Sequence, residues 1–443
     1  MAITAVRAEC ALNGRGFAIS QTDASNFFYE LKADGSSVSY GSLPGDRRPQ
    51  IIPGEVELLI LAGGLGYIFN LAASTLTRIT DPDFPIGATK GGFLDSSFIV
   101  VEPNSQTFAW SDVNNGLSWD PLNFATATGE PGNVVSMLVD HRQLWFLCNN
   151  HTEIFVGTSN PDIPYQRLEG AYMEQGTDSL DGAFQCDNTI FWQGGNQQGR
   201  GIFWRANGYS PFRISNHAIE KLVQNWGDIS DSSGYAYQEN GHLFARWDFP
   251  NARGGLAATL LYDCSTGYWH TRYFWNATIG AYMGDLARCH MFVFARHLVG
   301  DWRSGNVYEQ SQNYKTDAGA AIRRLRSSPD LANAGKWVFY GEHRLLMNVG
   351  IGLDGDTSAS VIPVDGAPAG DGTNPKITVQ LSNDGGETWG RERFIRMGKL
   401  GDFQRLVRWQ QNGRSNNRAL RMVCTEPVDC GLIALEMDVV AGT

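Results

Sequence analysis

A short stretch near the C-terminus carries the sharpest chemical motif of the sequence. Two hydroxyls, a carboxylate and an indole follow the spacing S-x-D-x-G-x-T-W, which is known as an Asp-box; its residues are Ser382, Asp384, Gly386, Thr388 and Trp389. Ser and Asp side chains can hydrogen-bond to the backbone of their own turn, Gly permits a positive φ angle, and Trp can pack beneath a hairpin. We therefore expect the motif to stabilise a turn rather than to catalyse a reaction.

A glycosidase is the alternative that this motif raises, because sialidases carry Asp-boxes. A degenerate copy lies at residues 111–119, and Phe212-Arg213-Ile214-Ser215 resembles the F/Y-R-I-P arginine motif of sialidases. Sialidases place that motif ahead of the Asp-boxes, whereas here it follows the degenerate box and ends in serine. A sialidase also needs three arginines on one carboxylate, a tyrosine nucleophile and a glutamate base, and the sequence does not identify them. We expect no enzyme activity; a carbohydrate-active propeller, glycosidase or glycan-binding module, is the alternative.

No metal or cofactor site is indicated by the sequence. The eight histidines are scattered, without an H-x-x-x-H or H-x-H pair, and the seven cysteines include no C-x-x-C pair. The sequence also lacks a P-loop, a dinucleotide-binding fingerprint and a G-x-S-x-G elbow. We therefore expect no cofactor, and we expect the cysteines to be buried free thiols in a reducing compartment.

A run of basic residues is the second feature that could bind a partner. Nine basic residues lie between positions 391 and 421, opposed only by Glu392 and Asp402; they are Arg391, Arg393, Arg396, Lys399, Arg405, Arg408, Arg414, Arg418 and Arg421. A solvated face or salt bridges between subunits would account for them, and so would contact with DNA phosphates or with an acidic partner. The first six, from Arg391 to Arg408, are the candidate contact residues.

Composition limits the classes of protein that this chain can be. Of its 443 residues 42% are hydrophobic and only 18% charged, with 51 glycines and a net charge of −11. Few charges, many glycines and many aromatics favour short strands joined by tight turns, and the acidic balance argues against a protein that wraps nucleic acid. The longest apolar run, residues 58–71, is interrupted by glycines and is shorter than the about 20 residues of a membrane helix, so we expect a soluble chain without a membrane anchor.

The spacing of the strands predicts the elements that must position these residues. Over residues 1–313, sets of short alternating runs begin about every 40–50 residues, which is typical of β-propeller blades and indicates six or seven of them. Residues 215–226 have the apolar spacing of one short helix. Residues 314–335 are predicted to be a linker, and residues 336–443 a β-sandwich or barrel-like domain that carries the Asp-box, with an exposed loop at 352–375. The predicted fold class is all-β.

Several stretches, in this order along the chain, resemble the packaged DNA stabilization protein family of short-tailed phages (podoviruses). They include Asp81-Pro-Asp-Phe-Pro85, Trp110-Ser-Asp-Val-Asn-Asn-Gly-Leu-Ser-Trp-Asp120, Asp140-His-Arg-Gln-Leu-Trp145, Glu174-Gln-Gly-Thr177, Gly208-Tyr-Ser-Pro-Phe-Arg-Ile-Ser-Asn-His-Ala-Ile-Glu220, Thr266-Gly-Tyr-Trp-His270 and Arg326-Ser-Ser-Pro329, followed by the Asp-box. The resemblance covers about residues 50–440 of the chain.

The resemblance implies a non-enzymatic virion protein, the hub or nozzle of the phage tail. It implies a ring, typically a hexamer, that closes the tail conduit, retains the packaged DNA until genome ejection and joins the portal-adaptor (head-completion) ring to the needle, tailspikes or fibres. DNA would pass through its lumen without sequence-specific contacts, and an acidic net charge suits such a wall, because a basic lumen would bind the phosphates. The expected location is the virion tail, after synthesis in the host cytoplasm.

Overall fold

The computed structural model describes residues 3–22, 25–45, 47–158, 160, 163–196, 199–276, 278–354 and 370–442. The chain forms two compact units. The first consists of Met1–Phe274 with Tyr282–Ser311, and the second of Trp275–Ala281 with Gln312–Thr443. Nearly all of the regular structure is strand, so the predicted all-β class is confirmed.

The first unit consists, in the described part of the chain, of seven small antiparallel sheets whose strands are neighbours in chain order. The first sheet contains β1 (Ile3–Leu12), β2 (Arg15–Thr22), β3 (Asn26–Leu31) and β4 (Ser37–Leu43), and the second contains β5 (Gln50–Pro53), β6 (Glu57–Ala62), β7 (Leu65–Asn70) and β8 (Thr75–Arg78). The third sheet contains β9 (Gly91–Leu94), β10 (Ser97–Val101), β11 (Thr107–Asp112) and β12 (Asn115–Thr126). The fourth contains β13 (Val134–Asp140), β14 (Gln143–Cys148), β15 (Thr152–Gly157) and β16 (Tyr165–Met173).

The other three sheets follow the same rule. The fifth sheet contains β17 (Ala183–Cys186), β18 (Thr189–Asn196), β19 (Gly199–Asn207) and β20 (Ser210–Arg213). The sixth contains β21 (Ser233–Glu239), β22 (His242–Phe249), β23 (Ala258–Asp263), β24 (Tyr268–Asn276) and β25 (Ala281–Gly284). The seventh contains β26 (Ala287–Val293), β27 (Arg296–Asp301) and β28 (Val307–Gln310).

The first strands of the sheets close into a ring. β1 contacts β5, and the contacts continue through β9, β13, β17, β21 and β26 back to β1. Glycines permit this close approach: a Cβ atom on Gly234 of β21 would lie 2.2 Å from the Phe184 ring of β17, a distance that no side chain tolerates. The first unit is therefore a β-propeller, and its described sheets give seven blades.

The hydrophobic core of the propeller lies between successive sheets rather than at one centre. Phe108 of the third sheet stacks on Phe146 of the fourth at 4.4 Å between ring centroids, and Phe203 of the fifth meets Trp247 of the sixth at 4.8 Å. Alternate residues of each strand point to one such layer. Between the seventh and first sheets, Val6 and Ala18 pack with Cys289.

The predicted helix is confirmed. It is α1 (His217–Gln224), and the side chain of Asn216 caps it by accepting a hydrogen bond from the Ile219 N–H at 3.0 Å, as N-cap residues do. A single turn, α2 (Ala252–Gly255), in which Arg253 and Gly254 have positive φ angles, connects β22 to β23. Both lie in connections between strands, α1 between β20 and β21 and α2 between β22 and β23.

The second unit is a β-sandwich, which confirms the predicted fold of the C-terminal region. One sheet contains β31 (Arg324–Ser327), β32 (Leu331–Ala332), β34 (Lys376–Ser382), β35 (Arg393–Arg396) and β38 (Asn417–Cys424); the other contains β33 (Val338–Met347), β36 (Val407–Trp409), β37 (Arg414–Ser415) and β39 (Leu432–Ala441); a small hairpin of β29 (Thr316–Asp317) and β30 (Ala320–Ala321) precedes them. Leu345, Val379, Val407 and Leu420 fill the core between the sheets.

The predicted linker differs from what the structure shows. Within residues 314–335, β31 pairs with β38 through Leu325 and Val423, and β32 pairs with the same strand. Such strands depend on backbone hydrogen bonds and need little hydrophobic alternation, which is why a segment rich in Arg, Ser and Ala resembles a linker in the sequence. Most of the predicted loop at 352–375 lies outside the described residues.

Candidate assembly surface

The Asp-box forms a closed hydrogen-bonded turn after β34. The Thr388 N–H donates to both carboxylate oxygens of Asp384, at 2.9 and 3.1 Å, and the Ser382 hydroxyl donates to Oδ1 at 2.6 Å. The Gly386 N–H in turn donates to Ser382 Oγ at 2.8 Å. The hydroxyl and backbone donors of Ser382 and Thr388 lower the pKa of Asp384 to about 2. The carboxylate is therefore engaged within its own turn, as a structural role requires.

The tryptophan of the Asp-box joins this turn to the neighbouring strand. The guanidinium of Arg421 on β38 lies 4.2 Å from the ring centroid of Trp389, which is a cation–π distance. Arg421 also donates to Gln380 Oε1 at 2.7 and 3.0 Å. Arg421, one of the nine basic residues, therefore stabilises this turn rather than binding a partner.

The arginine of the sialidase-like motif is likewise engaged within the fold. Arg213 ends β20, the outermost strand of the fifth sheet, and its Nε donates to Glu220 Oε1 at 2.7 Å while Nη2 binds the other carboxylate oxygen. Glu220 is buried and also accepts from Ser215 at 2.7 Å. The pair anchors the start of α1. Because Nε and Nη2 of Arg213 both bind Glu220, they are not free to bind a substrate carboxylate.

A cavity of about 780 Å³ lies among the turns of the fourth to seventh sheets. Its lining includes Asp140, His141, Asp187, His290 and His297, and no arginine is among the described residues that line it. The described part of the chain also contains no group of three or more His, Cys, Asp or Glu side chains that could hold a metal ion. No described helix is long and apolar enough to cross a membrane.

The nine basic residues divide into those that hold the sandwich and those that face solvent. Arg393 donates to the carbonyls of Gln410 and Gln411, at 2.9 and 3.0 Å, and to Asn412 Oδ1 at 3.1 Å. Arg418 is 1% exposed; it donates to the Asn412 carbonyl at 2.8 Å and stacks on the ring of Tyr340. Arg393 is therefore a fold-stabilising residue, unlike the other five candidate contact residues.

Those five residues are exposed in the structure: Arg391, Arg396, Lys399, Arg405 and Arg408. The alternation of β35 explains the difference, because Arg393 and Arg396 lie on opposite faces of that strand. Arg396 faces outward, and its carbonyl accepts a hydrogen bond from Arg405 Nε at 3.4 Å. Arg408 lies on the outward side of β36, where Nη1 lies 3.3 Å from Glu342 Oε2.

Large apolar side chains are interleaved with these cations on the outer surface. Phe394, Leu400, Phe403 and Leu406 are 57%, 61%, 71% and 51% exposed. They lie on β35 and on the segment that joins it to β36, where β35 is the edge of one sheet and β36 pairs with β33 in the other. We name this surface the cationic edge and define it by Phe394, Arg396, Lys399, Leu400, Phe403, Arg405 and Leu406.

The sequence analysis identifies the basic residues of the cationic edge but does not predict that its four large apolar side chains are exposed. Phe and Leu in a β domain normally belong to the core, so the pattern gives no signal that these four face water. A cluster of exposed large apolar residues marks an interaction surface, and Arg and aromatic residues are the types enriched there. These exposed apolar residues and the cations beside them make the cationic edge the candidate interaction surface of the sandwich.

Comparison with known proteins places the chain in a family. The family model described as "Bacteriophage P22 Gp10, beta-propeller" matches residues 24–315, and the one described as "Bacteriophage P22 Gp10, beta-sandwich" matches residues 334–440. The chain belongs to the phage P22 Gp10 family. The resemblance to packaged DNA stabilization proteins is confirmed, and the chain is a phage protein of that family.

Comparison with solved structures gives matches of low sequence identity. The extracellular domain of a putative one-component system, BT4673, from B. thetaiotaomicron has a TM-score of 0.44 and 12% identity, covering 92% of this chain and 53% of that one. PorZ, a surface component of the type-IX secretion system of Porphyromonas gingivalis, has a TM-score of 0.39 and 11% identity, covering 78% of this chain and 44% of that one. The N-terminal domain of Nup159 has a TM-score of 0.41 and 8% identity, covering 70% of this chain and 86% of that one. The chain spans about half the length of the first of these. No curated protein matches it.

Two of the Gp10-like stretches meet in the structure. The Trp119 N–H donates to Asp81 Oδ2 at 3.0 Å, and the indole ring of Trp119 packs edge-on against Phe84 at 5.1 Å. In the degenerate Asp-box, the Ser118 hydroxyl donates to Asp112 Oδ2 at 2.7 Å, and Trp119 Nε1 donates to the Gly116 carbonyl at 3.0 Å. These motifs therefore join the second and third blades of the Gp10-family propeller.

Proposed function

We propose that the chain is a ring subunit of the phage tail hub or nozzle, which closes the tail conduit and retains the packaged DNA until ejection. The supporting observation is the cationic edge, a broad surface of exposed cations and large apolar side chains on a Gp10-family chain. A monomer gains nothing from exposing four large apolar residues together, whereas a ring subunit buries them against its neighbours.

The partners that we propose follow from this role. They are further copies of the chain, forming a ring of typical hexameric size, the portal-adaptor or head-completion protein on one side, and the needle, tailspike or fibre on the other. The protein would reach the virion tail after synthesis in the host cytoplasm. The charge balance supports non-specific passage of DNA: residues 1–311 hold 19 basic and 31 acidic residues, and an acidic wall does not bind phosphates.

We propose that the chain is not an enzyme. Arg213 is paired with buried Glu220, Asp384 is engaged in its turn, and the described lining of the propeller cavity contains no arginine to hold a substrate carboxylate. Among the described residues, these three observations argue against the glycosidase alternative.

Complementation of a phage that lacks this gene tests the function. Particles made without the protein should package DNA and then lose it, and the wild-type chain should restore DNA retention and infectivity. The variant Arg213→Ala, which removes the sialidase-like arginine, should restore retention as well. Particles that keep their DNA without the protein would contradict the proposal, and hydrolysis of a fluorogenic sialoside that Arg213→Ala abolishes would favour the enzyme.

A further inference from the structure

The two units of the chain differ strongly in charge. Residues 1–311 carry 19 basic and 31 acidic residues, a net charge of −12, whereas residues 312–443 carry 16 basic and 15 acidic residues, a net charge of +1. More than half of the basic residues in the second unit lie between positions 391 and 421. The acidic complement of the cationic edge is therefore available in the propeller of another copy.

One face of the propeller matches the cationic edge in chemistry. At the tips of the second and third sheets, the Ser96 hydroxyl donates to Glu55 Oε1 at 3.3 Å, the Asn114 N–H donates to the Ser96 carbonyl at 2.7 Å, and the Gly116 N–H donates to Glu57 Oε2 at 3.3 Å. These bonds join three turns that are distant in the sequence into one continuous surface.

This surface combines carboxylates with exposed apolar side chains. Glu55 and Asp112 are exposed, and so are Val56, Val113 and Leu117, the two valines by more than half. The neighbouring Asp95 is already paired with Arg142, so it is not part of the set. We name this surface the acidic face and define it by Glu55, Val56, Glu57, Asp112, Val113 and Leu117.

We propose that the cationic edge of one copy docks on the acidic face of the next copy. This inference rests on the proposed ring function and names the two surfaces that form the ring contact. Both surfaces are exposed in the single chain, they carry opposite charge, and each presents apolar side chains between its charges. Contact between different patches of identical chains is heterologous, and such contacts generate rings when the rotation closes.

DNA is the weaker fit to the cationic edge. Phosphate contacts use cations and hydrogen-bond donors, and they would leave the apolar side chains of the edge exposed to water. A protein partner with apolar groups would bury these side chains, which are Phe394, Leu400, Phe403 and Leu406. The acidic face supplies such groups in Val56, Val113 and Leu117. The chemistry therefore favours a second copy of this chain.

Charge exchange tests the contact directly. The edge variant is Arg396→Glu with Arg405→Glu, and the face variant is Glu55→Lys with Asp112→Lys. Each variant alone sets like charges against each other, so its self-association in sedimentation velocity should be about 100-fold weaker than that of the wild type. Mixing the two variants restores both pairings, because the wild-type edge of one meets the wild-type face of the other, and the two reversed surfaces also match. The mixture should assemble.

The control is a pair of reversals elsewhere on the sandwich, Arg326→Glu with Lys336→Glu, whose side chains are also exposed. It changes the net charge as much as the edge variant does, and it should assemble like the wild type. Circular dichroism of each variant establishes that it is folded.

Three results would overturn the proposal. They are an edge variant that assembles like the wild type, a mixture that stays as dissociated as its components, and a wild-type chain that remains monomeric at every concentration. Loss of binding to a DNA duplex by the edge variant, with self-association unchanged, would assign the edge to DNA instead. In all these cases the proposed function survives if the wild-type chain still restores DNA retention in the phage.

Discussion

His290 Nε2 lies 2.9 Å from His297 Nδ1, so two imidazoles of the seventh blade share one hydrogen bond. Tyr235 stacks on the His290 ring at 5.4 Å, Tyr237 packs on both rings, and the cation Arg246 lies nearby. Burial, followed by His297 and Arg246, lowers the pKa of His290 to about 4. Burial and the nearby cation therefore make protonation of His290 unfavourable in the folded chain.

This pair predicts an acid-sensitive propeller. Because the folded pKa of His290 lies below its value of 6.5 in the unfolded chain, the unfolded state binds more protons between these values, and stability falls as the pH drops from 6.5 to about 4. The loss from this group should be about 3 kcal/mol. Urea unfolding of the propeller at a series of pH values measures it.

The variant His290→Gln should flatten the pH dependence of unfolding in this range. The comparison is His217→Gln, which changes a fully exposed histidine on α1 that lies 3.6 Å from Glu220 and should change the dependence much less. An unchanged slope in His290→Gln would show that other groups cause the acid sensitivity.

The propeller could be predicted from the sequence because its turns recur at blade spacing. The number of blades could not, because the seventh sheet has three strands and the sixth has five, so the repeat is uneven. The sequence pattern also predicts two separate strands, at residues 336–340 and 344–349, where the structure has the single strand β33. Gly341 interrupts the apolar alternation there, and the register with β39 shifts between Tyr340 and His343. In the sequence pattern, such a shift cannot be distinguished from the end of a strand.

The candidate surfaces were predictable only in part. The basic run is visible in the sequence, but the separation of Arg393 from Arg396 depends on which face of β35 each occupies. The exposure of Phe403 follows from tertiary structure alone. The acidic face brings together turns around Glu55, Ser96 and Asn114, which only the stacking of two blades makes adjacent.

The two arginines of β35 should behave oppositely on truncation. Arg393→Ala removes three hydrogen bonds to residues 410–412 and should destabilise the sandwich by roughly 1–3 kcal/mol. Arg396→Ala removes an outward side chain and should change the unfolding free energy by less than about 0.5 kcal/mol. Denaturant unfolding of both variants checks this, and equal effects would show that the two side chains are not on different faces.

The Asp-box should matter for stability and not for assembly. Asp384→Ala removes the acceptor of Thr388 and Ser382, so the Tm of the sandwich should fall while self-association of the folded protein stays that of the wild type. Because the pKa of Asp384 is lowered to about 2, its contribution is present above pH 4 and is lost as the pH falls through 2. Calorimetry that gave an unchanged Tm would mean that other contacts hold the turn.

A buried ion network in the sixth blade should be costly to break. Arg246 is fully buried and donates to Asp248 at 2.8 and 2.9 Å and to Asp285 at 2.9 Å. Arg246→Ala leaves both carboxylates without this partner and should cost about 3–5 kcal/mol. Arg296→Ala, an exposed arginine of the seventh blade, is the control and should cost under about 1 kcal/mol. A small effect of Arg246→Ala in urea unfolding would show that water replaces the guanidinium.

The measurement that tests the central claim most directly is the mass of the assembly that the purified wild-type chain forms, alone and with a portal-adaptor ring. Mass photometry, followed by electron microscopy of the same sample, should show closed rings of several copies, and high salt should weaken them because charge pairs contribute to the contact. A chain that remains a monomer with and without the adaptor ring, at low and high salt alike, would contradict the account.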